Sequence, residues 1–430
     1  METVYVNKTN ALTLEDVLER ENMLVALQRV ESNKGCPGID NLSTIEMREY
    51  LKSNWLKIKE QLLAGNYKPQ AVKRINIPKP HGGTRQLGIP TVIDRLIQQA
   101  LMQKMNPIFD PEFSTSSFGF RIGKSAHQAI RQAHSFQKGG YNIVVDMDLE
   151  KFFDRVNHDI LMGKIAKRIE DKQILKLIRA YLNAGIMENM EYTQPKEGTP
   201  QGSPLSPLLS NIMLDSLDKE LEQRGHKFCR YADDCNIYVK TKRAGERVFN
   251  SIKTFIDKHL KLSVNTAKSA VDFAWKRKFL GYSFLGLKQP RIRIAKQSLD
   301  KFKGRIRQIT RGHSSQPLSE RVKQLNTYTR GWMNYFQLTD TGRLLQDLDS
   351  WIKHRLRMCL FKQWKKPRTR VRNLLKLGLE PEKAKTFACS KAYWRKSVNK
   401  ESNFTLNNEF FRINGFIGVH TVWQNLRTLI

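Results

Sequence analysis

Hydrophobic and polar positions along the chain follow two different periods, which divide the sequence into helical and extended segments. Residues 13–65 and 92–107 repeat apolar residues every three to four positions, as amphipathic helices do, and NKGCPGID interrupts the first segment as a turn. Residues 71–90, 141–149 and 228–239 instead alternate apolar and polar residues, which predicts strands, and HGG within the first of these predicts a hairpin.

The order of these elements predicts the fold class. Helices and mostly antiparallel strands mix up to about residue 290, and from about residue 298 the pattern is almost wholly helical and basic. We therefore expect an α+β region followed by an all-α region.

Charge narrows the class of partner. The chain has 430 residues, 74 Lys and Arg against 41 Asp and Glu, and a net charge of +33. Residues 291–430 alone carry 30 basic and 9 acidic residues. So large an excess favours a polyanionic partner such as nucleic acid. An acidic membrane surface is the alternative, but the sequence has no long apolar run and no lipidation signal, so we expect no membrane partner.

Cysteines and the first residues indicate the compartment. Five cysteines occur singly, without a CxxC pair, which is typical of a reducing compartment and predicts no zinc site. The polar, acidic N-terminus does not resemble a secretory or transit signal. We expect a cytoplasmic bacterial protein.

Two adjacent aspartates, Asp233 and Asp234, interrupt the strand pattern of FCRYADDCNIYVK. A solvated turn is one interpretation, because aspartate favours turns. The apolar strand that follows places these carboxylates near buried surface, where a divalent cation would stabilise them. Asp146 and Asp148 share one face of another predicted strand and could complete a site for two Mg²⁺ ions; the residues alone leave the choice between them open.

The motifs around these aspartates resemble a known family. VVDMDLEKFFDRVNH, TPQGSPLSPLLSN and YADD resemble, in order and spacing, the palm motifs of reverse transcriptases. IPKPHGGTRQLGIP, SSFGFRIGKSAHQA and RGWMNYF are similar to further motifs of group II intron reverse transcriptases, most like the short bacterial type of class C introns. No endonuclease domain is expected.

The resemblance implies a right-hand polymerase with fingers and palm, an antiparallel sheet plus helices, followed by an α-helical thumb and a small basic helical domain. Its implied domains are an N-terminal extension with its associated loop (1–65), fingers and palm (66–290), the thumb or domain X (291–365) and a DNA- and RNA-binding D domain (366–430).

The resemblance also implies the metal ligands. Asp148 precedes the family's steric-gate aromatic, here Phe153, by five residues, so Asp148 rather than Asp146 is the implied ligand. The Leu149 carbonyl, Asp233 and Asp234 complete the implied set for two Mg²⁺ ions, with Mn²⁺ as a substitute. Phe153 would exclude a 2′-hydroxyl; without the motif it would be an ordinary core aromatic.

Further residues are implied contacts of the incoming nucleotide. Lys79 and Arg85 flank the predicted hairpin turn, where the family places cations over the triphosphate. Gln201 and Gly202 of PQG would lie beside the nucleotide or the templating base. Lys268 of NTAKS would act as a general acid for pyrophosphate, although an exposed lysine is nearly as plausible an interpretation.

The implied function is that of an RNA-directed DNA polymerase that also acts as a maturase of its intron. Its implied partners are intron RNA, an RNA template with a DNA primer, target DNA and dNTPs, with nucleoid association during integration. The alternatives are a splicing cofactor with a vestigial polymerase and a host-domesticated reverse transcriptase in DNA repair or defence. Both a monomer and a dimer are conceivable.

Two groups of residues in the basic region 291–430 lead to further predictions. Five cations around Pro367 are expected to contact nucleic acid, with a solvated charge run as the alternative; they are Lys365, Lys366, Arg368, Arg370 and Arg372. Trp332, Tyr335 and Phe336 are expected to pack between helices rather than stack on bases.

Overall fold

The chain divides into two compact units between Phe273 and Ala274 in a computed structural model. The structure describes residues 11–78, 84–188, 191–286, 289–311, 316–389 and 393–428. The predicted domain boundaries divide these units further and stay predictions.

Helices and strands mix throughout the first unit, as the α+β prediction requires. Its helices are α1 (Leu14–Val17), α2 (Arg20–Ser32), α3 (Met47–Leu63), α4 (Val92–Phe109), α5 (Ala126–Lys138), α6 (His158–Ile165), α7 (Lys172–Leu182), α8 (Ser206–Gln223) and α9 (Lys242–Phe255). Its strands are β1 (Val72–Pro78), β2 (Thr84–Ile89), β3 (Ile143–Met147), β4 (Ile186–Glu188), β5 (Glu191–Thr193), β6 (Lys227–Tyr231), β7 (Asp234–Val239) and β8 (Ala270–Phe273).

Two sheets of four strands organise this unit. The first has the order β2-β1-β4-β5, in which β1 and β2 form the predicted antiparallel hairpin and β1 runs parallel to β4. The hairpin of β4 and β5 is absent from the sequence prediction. Each of its strands has only three residues, too few for a period of two to be recognised.

The second sheet is antiparallel, with the order β6-β7-β3-β8. Alternate residues of its central strands, such as Val145 and Ile237, are buried in the main hydrophobic core of this unit. Helices α5, α8 and α9 pack against the sheet. The core therefore fixes the positions of β3 and β7, whose ends carry the predicted metal ligands.

The second unit begins with a hairpin and continues as helices. The hairpin pairs β9 (Tyr282–Leu285) with β10 (Arg291–Ile294). The helices are α10 (Lys296–Ile309), α11 (Leu318–Phe336), α12 (Gly342–Gln363), α13 (Pro367–Lys376), α14 (Pro381–Cys389), α15 (Tyr393–Val398), α16 (Lys400–Thr405), α17 (Asn408–Ile413) and α18 (Val419–Thr428). Within the ranges given above, no helix has the length and apolarity that crossing a bilayer requires.

Aromatic packing joins the first two of these helices. The Trp332 ring of α11 lies 4.2 Å from the Phe302 ring of α10 and 4.8 Å from that of Phe336, centroid to centroid. Phe302 is fully buried, whereas the exposed positions of α10 carry Lys301, Arg305 and Arg307 among others. Core packing is thus observed for Trp332 and Phe336, whereas Tyr335 is partly exposed.

Candidate active site

The YADD segment forms a two-residue hairpin between β6 and β7. Tyr231 pairs with Asp234, so the turn consists of Ala232 and Asp233. Ala232 is buried and has a φ of 57°, in the left-handed region that residues with a Cβ seldom adopt. Asp233 is half-buried at the turn, whereas Asp234 is exposed at the start of β7. The two aspartates therefore meet different environments.

Asp148 lies directly after β3, beside the start of β7. Strands β3 and β7 are paired through Met147 and Cys235, which places the residue after β3 next to the one before Cys235. The alternation predicted from the sequence is present, since Val145, Met147 and Leu149 are buried and Asp146 and Asp148 are half-buried. The structure thus brings Asp148 to the same end of the sheet as Asp233 and Asp234.

The segment before β8 holds the backbone of Asp148 in place. The Asp148 N–H donates to the Ser269 hydroxyl at 3.0 Å, and the Asn265 N–H donates to the Asp148 carbonyl at 2.8 Å. Leu149 forms an antiparallel bridge with Val264. Residues 264–269, which contain the NTAKS motif, therefore hold the backbone of Asp148 and Leu149 in place through hydrogen bonds.

Charges at this end of the sheet act on one another. Burial raises the pKa of Asp233 above the ordinary carboxyl value and the negative charge of Asp148 raises it further, whereas the positive charge of Arg85 lowers it. The Lys268 ammonium lies 3.6 Å from the Asp148 carboxylate, and its side chain is 64% exposed. Arg85, Lys268 and the buried Arg230 are thus cations that act on the predicted carboxylate site.

The predicted metal site is only partly assembled. Among the residues that the structure describes, no three acidic, histidine or cysteine side chains lie close enough together to hold a metal ion. The donor types nevertheless fit a hard divalent cation, because such ions prefer carboxylate oxygens as ligands. Asp233 is also partly removed from water and lies near the negative charge of Asp148, and both effects disfavour its charged form. A bound cation would relieve both effects.

Phe153 and the PQG turn meet at a cavity of about 310 Å³. The Gly88 N–H of β2 donates to the Gln201 carbonyl at 2.7 Å, and the Thr199 N–H donates to the Phe153 carbonyl at 2.6 Å. Gly202 has a φ of 119°, and a Cβ there would lie 2.7 Å from the Gly88 carbonyl oxygen, so this turn requires glycine. The backbone thereby joins the β1–β2 hairpin to the turn and to Phe153.

Of the two cations predicted to lie on the β1–β2 hairpin, the structure describes Arg85 but not Lys79. Arg85 is exposed on β2 opposite Ile77. Lys79 lies outside the described residues. All other predicted site residues belong to the first unit and are described.

The sequence motifs did not predict the buried residues that contact the YADD turn from the interior of the unit. Arg230 and Asp218 form an ion pair with both side chains 0% exposed. A charged residue at an inward position of a strand, as in FCRY, was the available signal, because a buried charge needs a buried partner. The partner itself, on α8, has no signature in the sequence.

Comparison with known proteins identifies the family. Residues 77–284 match the family described as reverse transcriptase (RNA-dependent DNA polymerase), and residues 299–378 match the maturase-specific domain of group II introns. The protein YkfC of Escherichia coli K12 is 32% identical over 295 residues, which span 59% of this chain and 76% of YkfC. The chain belongs to the group II intron reverse transcriptases. It is therefore an RNA-directed DNA polymerase with a maturase domain that acts in splicing, as the motifs predict.

Other relatives of this reverse transcriptase are longer. The group II intron-encoded protein LtrA of Lactococcus lactis subsp. cremoris is 29% identical over 372 residues, which cover 70% of this chain but 60% of LtrA. A solved structure titled as a partial Cas6-RT-Cas1–Cas2 complex covers 58% of this chain and 43% of its own, at 27% identity and a TM-score of 0.38.

Reverse transcriptases use divalent metal ions, which agrees with the carboxylates of this site.

One residue of the predicted nucleic-acid surface of this reverse transcriptase is instead part of the protein interior. Arg370 of α13 is 3% exposed, and its guanidinium donates to the carbonyls of Trp364, Lys365 and Ala388. The expectation that Arg370 contacts nucleic acid is therefore wrong, because its donors satisfy buried backbone acceptors. The other four cations around Pro367 are exposed.

Proposed function

We propose that this reverse transcriptase copies RNA into DNA at the end of the β6-β7-β3-β8 sheet, with Asp148, Asp233 and Asp234 as its catalytic carboxylates. The observation that supports this most is the pairing of β3 with β7, which brings the residue after β3 to the YADD turn. Carboxylates from two paired strands are suitable ligands for the metal ions that assist nucleotidyl transfer.

The three aspartates and the Leu149 carbonyl would hold two Mg²⁺ ions, which Mn²⁺ could replace. When bound, such ions lower the pKa of the primer 3′-hydroxyl and stabilise the charge of the leaving pyrophosphate. The protein's own contribution is positional. Backbone hydrogen bonds to residues 264–269 orient Asp148, and the hairpin turn orients Asp233.

Side chains around Phe153 would bind the incoming dNTP. Arg85 is exposed and near enough to lower the pKa of Asp233, so its guanidinium is available to a triphosphate beside the carboxylates. Lys79 would assist from the same hairpin. Gln201 and Gly202 would contact the sugar or the templating base, and Phe153 would exclude a 2′-hydroxyl, so that dNTPs are preferred over rNTPs.

Lys268 would serve as the general acid. In the reaction the primer 3′-hydroxyl loses its proton to water and its oxygen forms a bond to the α-phosphorus, while the bond from that phosphorus to the bridging oxygen of the pyrophosphate breaks. The Lys268 ammonium, which is exposed and pairs with Asp148, would give a proton to the departing oxygen. Its ion pair with Asp148 would be exchanged for contact with the triphosphate.

The exposed cations of the second unit would bind the intron RNA and the target DNA. Lys365, Lys366, Arg368 and Arg372 are exposed at and near the start of α13. Family membership supports a maturase that promotes splicing of its own intron and then copies the inserted intron RNA into DNA at the nucleoid. This mobility requires an RNA template, a DNA primer and target DNA together.

Primer extension tests the proposal. The full chain is given a long RNA template, an annealed DNA primer, dNTPs and Mg²⁺, and is compared with the Asp233→Ala/Asp234→Ala variant. We expect long DNA products from the wild type and none from the variant, with RNA affinity and splicing of the intron retained by both.

Two other outcomes would overturn parts of the proposal. A folded wild type that binds RNA but extends no primer would leave a splicing cofactor with a vestigial polymerase. A wild type that extends primers but does not affect splicing of an intron RNA encoded around its gene would indicate a host-domesticated enzyme.

A further inference from the structure

The buried arginine behind the YADD turn has every hydrogen-bond donor occupied. Arg230 donates from Nε and Nη2 to the two carboxylate oxygens of Asp218, at 2.7 and 2.6 Å. Its remaining N–H groups reach the Asn211 side-chain oxygen at 3.0 Å, the Ala232 carbonyl at 2.8 Å and the Ser117 hydroxyl at 2.8 Å. All five N–H groups of the guanidinium are thus used.

These five acceptors come from three different parts of the chain. Asp218 and Asn211 belong to α8, Ser117 belongs to the loop between α4 and α5, and Ala232 belongs to the hairpin turn itself. The bond to the Ala232 carbonyl fixes the peptide group that joins Ala232 to Asp233. Arg230 therefore connects a helix and a loop directly to the backbone of a predicted metal ligand.

The loop is held against the turn by further contacts. The Arg230 N–H donates to the Ser116 carbonyl and the Phe118 N–H donates to the Arg230 carbonyl, both at 2.9 Å. The Asn211 amide also donates to the Gly119 carbonyl at 3.0 Å. A Cβ on Gly119 would lie 2.2 Å from the Ala232 nitrogen, so the two backbones are in direct contact.

Stability alone is a weak reason for a buried ion pair. Removing two charges from water costs several kcal/mol per ion, and well-packed apolar residues often serve stability equally well. What an apolar replacement could not supply is a directional bond to the Ala232 carbonyl, which holds this residue in a left-handed conformation. The network is therefore suited to setting a geometry.

We propose that Arg230, oriented by Asp218, Asn211 and Ser117, is a positioning residue that fixes the Ala232–Asp233 peptide and thereby holds the Asp233 carboxylate where it can bind a catalytic metal ion. This inference rests on the proposed polymerase function. Arg230 is fully buried and so acts through Asp233 rather than on substrate.

Substitutions of the full-length protein test this role. Arg230→Lys keeps the charge but loses the planar fork, and Asp218→Asn keeps the shape but loses the charge. We expect either change to lower kcat for single-nucleotide addition by about tenfold to a hundredfold, the range typical of a misplaced catalytic group. The KM for dNTP and the affinity for the primer–template should change by less than about threefold.

Metal binding provides a readout that does not depend on turnover. Electron paramagnetic resonance counts free Mn²⁺ in a titration, and the site lost in Asp233→Asn identifies the relevant one. We expect this site to bind Mn²⁺ several-fold more weakly in Arg230→Lys and Asp218→Asn. The control is Tyr67→Phe, which removes a partly buried hydrogen bond of 2.8 Å to Asp94 that the network does not share; it should lower the unfolding temperature without weakening Mn²⁺ binding.

The outcomes separate this inference from the proposed function. A wild type without primer extension would contradict the polymerase function itself. Active wild type together with network variants whose kcat falls only in proportion to their folded fraction, with unchanged Mn²⁺ affinity, would overturn the positioning role. If both main variants fail to fold, Ser117→Ala decides, since it removes one acceptor from Arg230 and should show the same shift on a smaller scale.

Discussion

Two hairpins of the first unit contribute to the candidate site in opposite ways. The β6–β7 hairpin carries Asp233 and Asp234 and is held by a buried ion pair, a helix and a loop. The β1–β2 hairpin carries Arg85, and its residues from Ile75 to Gln86 are exposed wherever they are described. One hairpin is part of the core and the other projects toward solvent.

This difference matches the tasks that we propose for them. A metal ligand must be held within a fraction of an ångström, which buried and fully used hydrogen bonds achieve. A cation that contacts a triphosphate must first be accessible, and solvent exposure provides that. Changes at the β6–β7 hairpin should therefore affect the rate of the chemical step, and changes at the β1–β2 hairpin should affect nucleotide binding.

The largest effect should come from Asp148, which completes the carboxylate set beside the β6–β7 hairpin. We expect Asp148→Asn to lower single-nucleotide addition to the level seen without enzyme, because a neutral amide is a poor ligand for Mg²⁺. Rapid-quench kinetics on an RNA template measure this. Asp159→Asn is the matched control, since the Asp159 side chain is 82% exposed on α6, and activity there should stay at the wild-type level.

A smaller but still large effect should follow from Gly119→Ala. The added Cβ would overlap the Ala232 backbone, so the turn must shift or the loop must separate from it. We expect a loss of about tenfold in kcat with a destabilisation of about 1–3 kcal/mol. Gly163→Ala in α6 is the control, because no atom lies within 4 Å of its added Cβ. Wild-type kcat in Gly119→Ala would contradict close contact between loop and turn.

The pH dependence of polymerisation should report on Asp233. Its raised pKa means that the carboxyl group takes up a proton at a higher pH than an ordinary aspartate, and the protonated form cannot bind a cation. Activity should therefore fall on the acid side, and this limb should move to lower pH as Mg²⁺ increases. Rate profiles at low and saturating Mg²⁺ measure the shift; a limb that does not move would exclude a metal-linked carboxylate.

The smallest effect concerns the second unit. Arg368→Ala/Arg372→Ala removes two exposed cations, and we expect weaker binding of intron RNA with a shallower dependence on salt, by roughly 0.7 in logarithmic slope for each phosphate that is no longer neutralised. Arg370→Ala should instead lower the unfolding temperature, because carbonyls of Trp364 and Ala388 lose their donors. Filter binding over a salt series, with thermal unfolding alongside, distinguishes the two.

Local patterns predicted most of the fold. The alternation of Val145, Met147 and Leu149 with Asp146 and Asp148 is present around β3, and the strand pattern on either side of YADD is present as β6 and β7, which pair as a hairpin. Helix and strand periods succeed here because each element buries one face in a common core. The β4–β5 hairpin was missed because strands of three residues have no readable period.

Long-range partners were not predictable in the same way. Arg370 looks like a surface cation in the sequence, yet it is buried. The position of Arg230 within a strand indicates burial, but the acceptors of both arginines lie on other elements. A sequence shows that a charge exists but not which helix or loop will satisfy it. The motif order predicted the carboxylates of the site, whereas the residues that we propose to orient them became visible only through the contacts of β6 with α8 and with the loop that contains Ser117.

The most direct test compares the two hairpins in one experiment. Single-nucleotide addition on an RNA template is measured over a range of dNTP and Mg²⁺ concentrations for the wild type, Asp233→Asn and Arg85→Ala. We predict that Asp233→Asn loses the maximal rate, whereas Arg85→Ala raises the apparent Kd for dNTP by about tenfold and keeps most of the maximal rate. A normal maximal rate in Asp233→Asn, or a loss in Arg85→Ala that saturating dNTP does not restore, would contradict it.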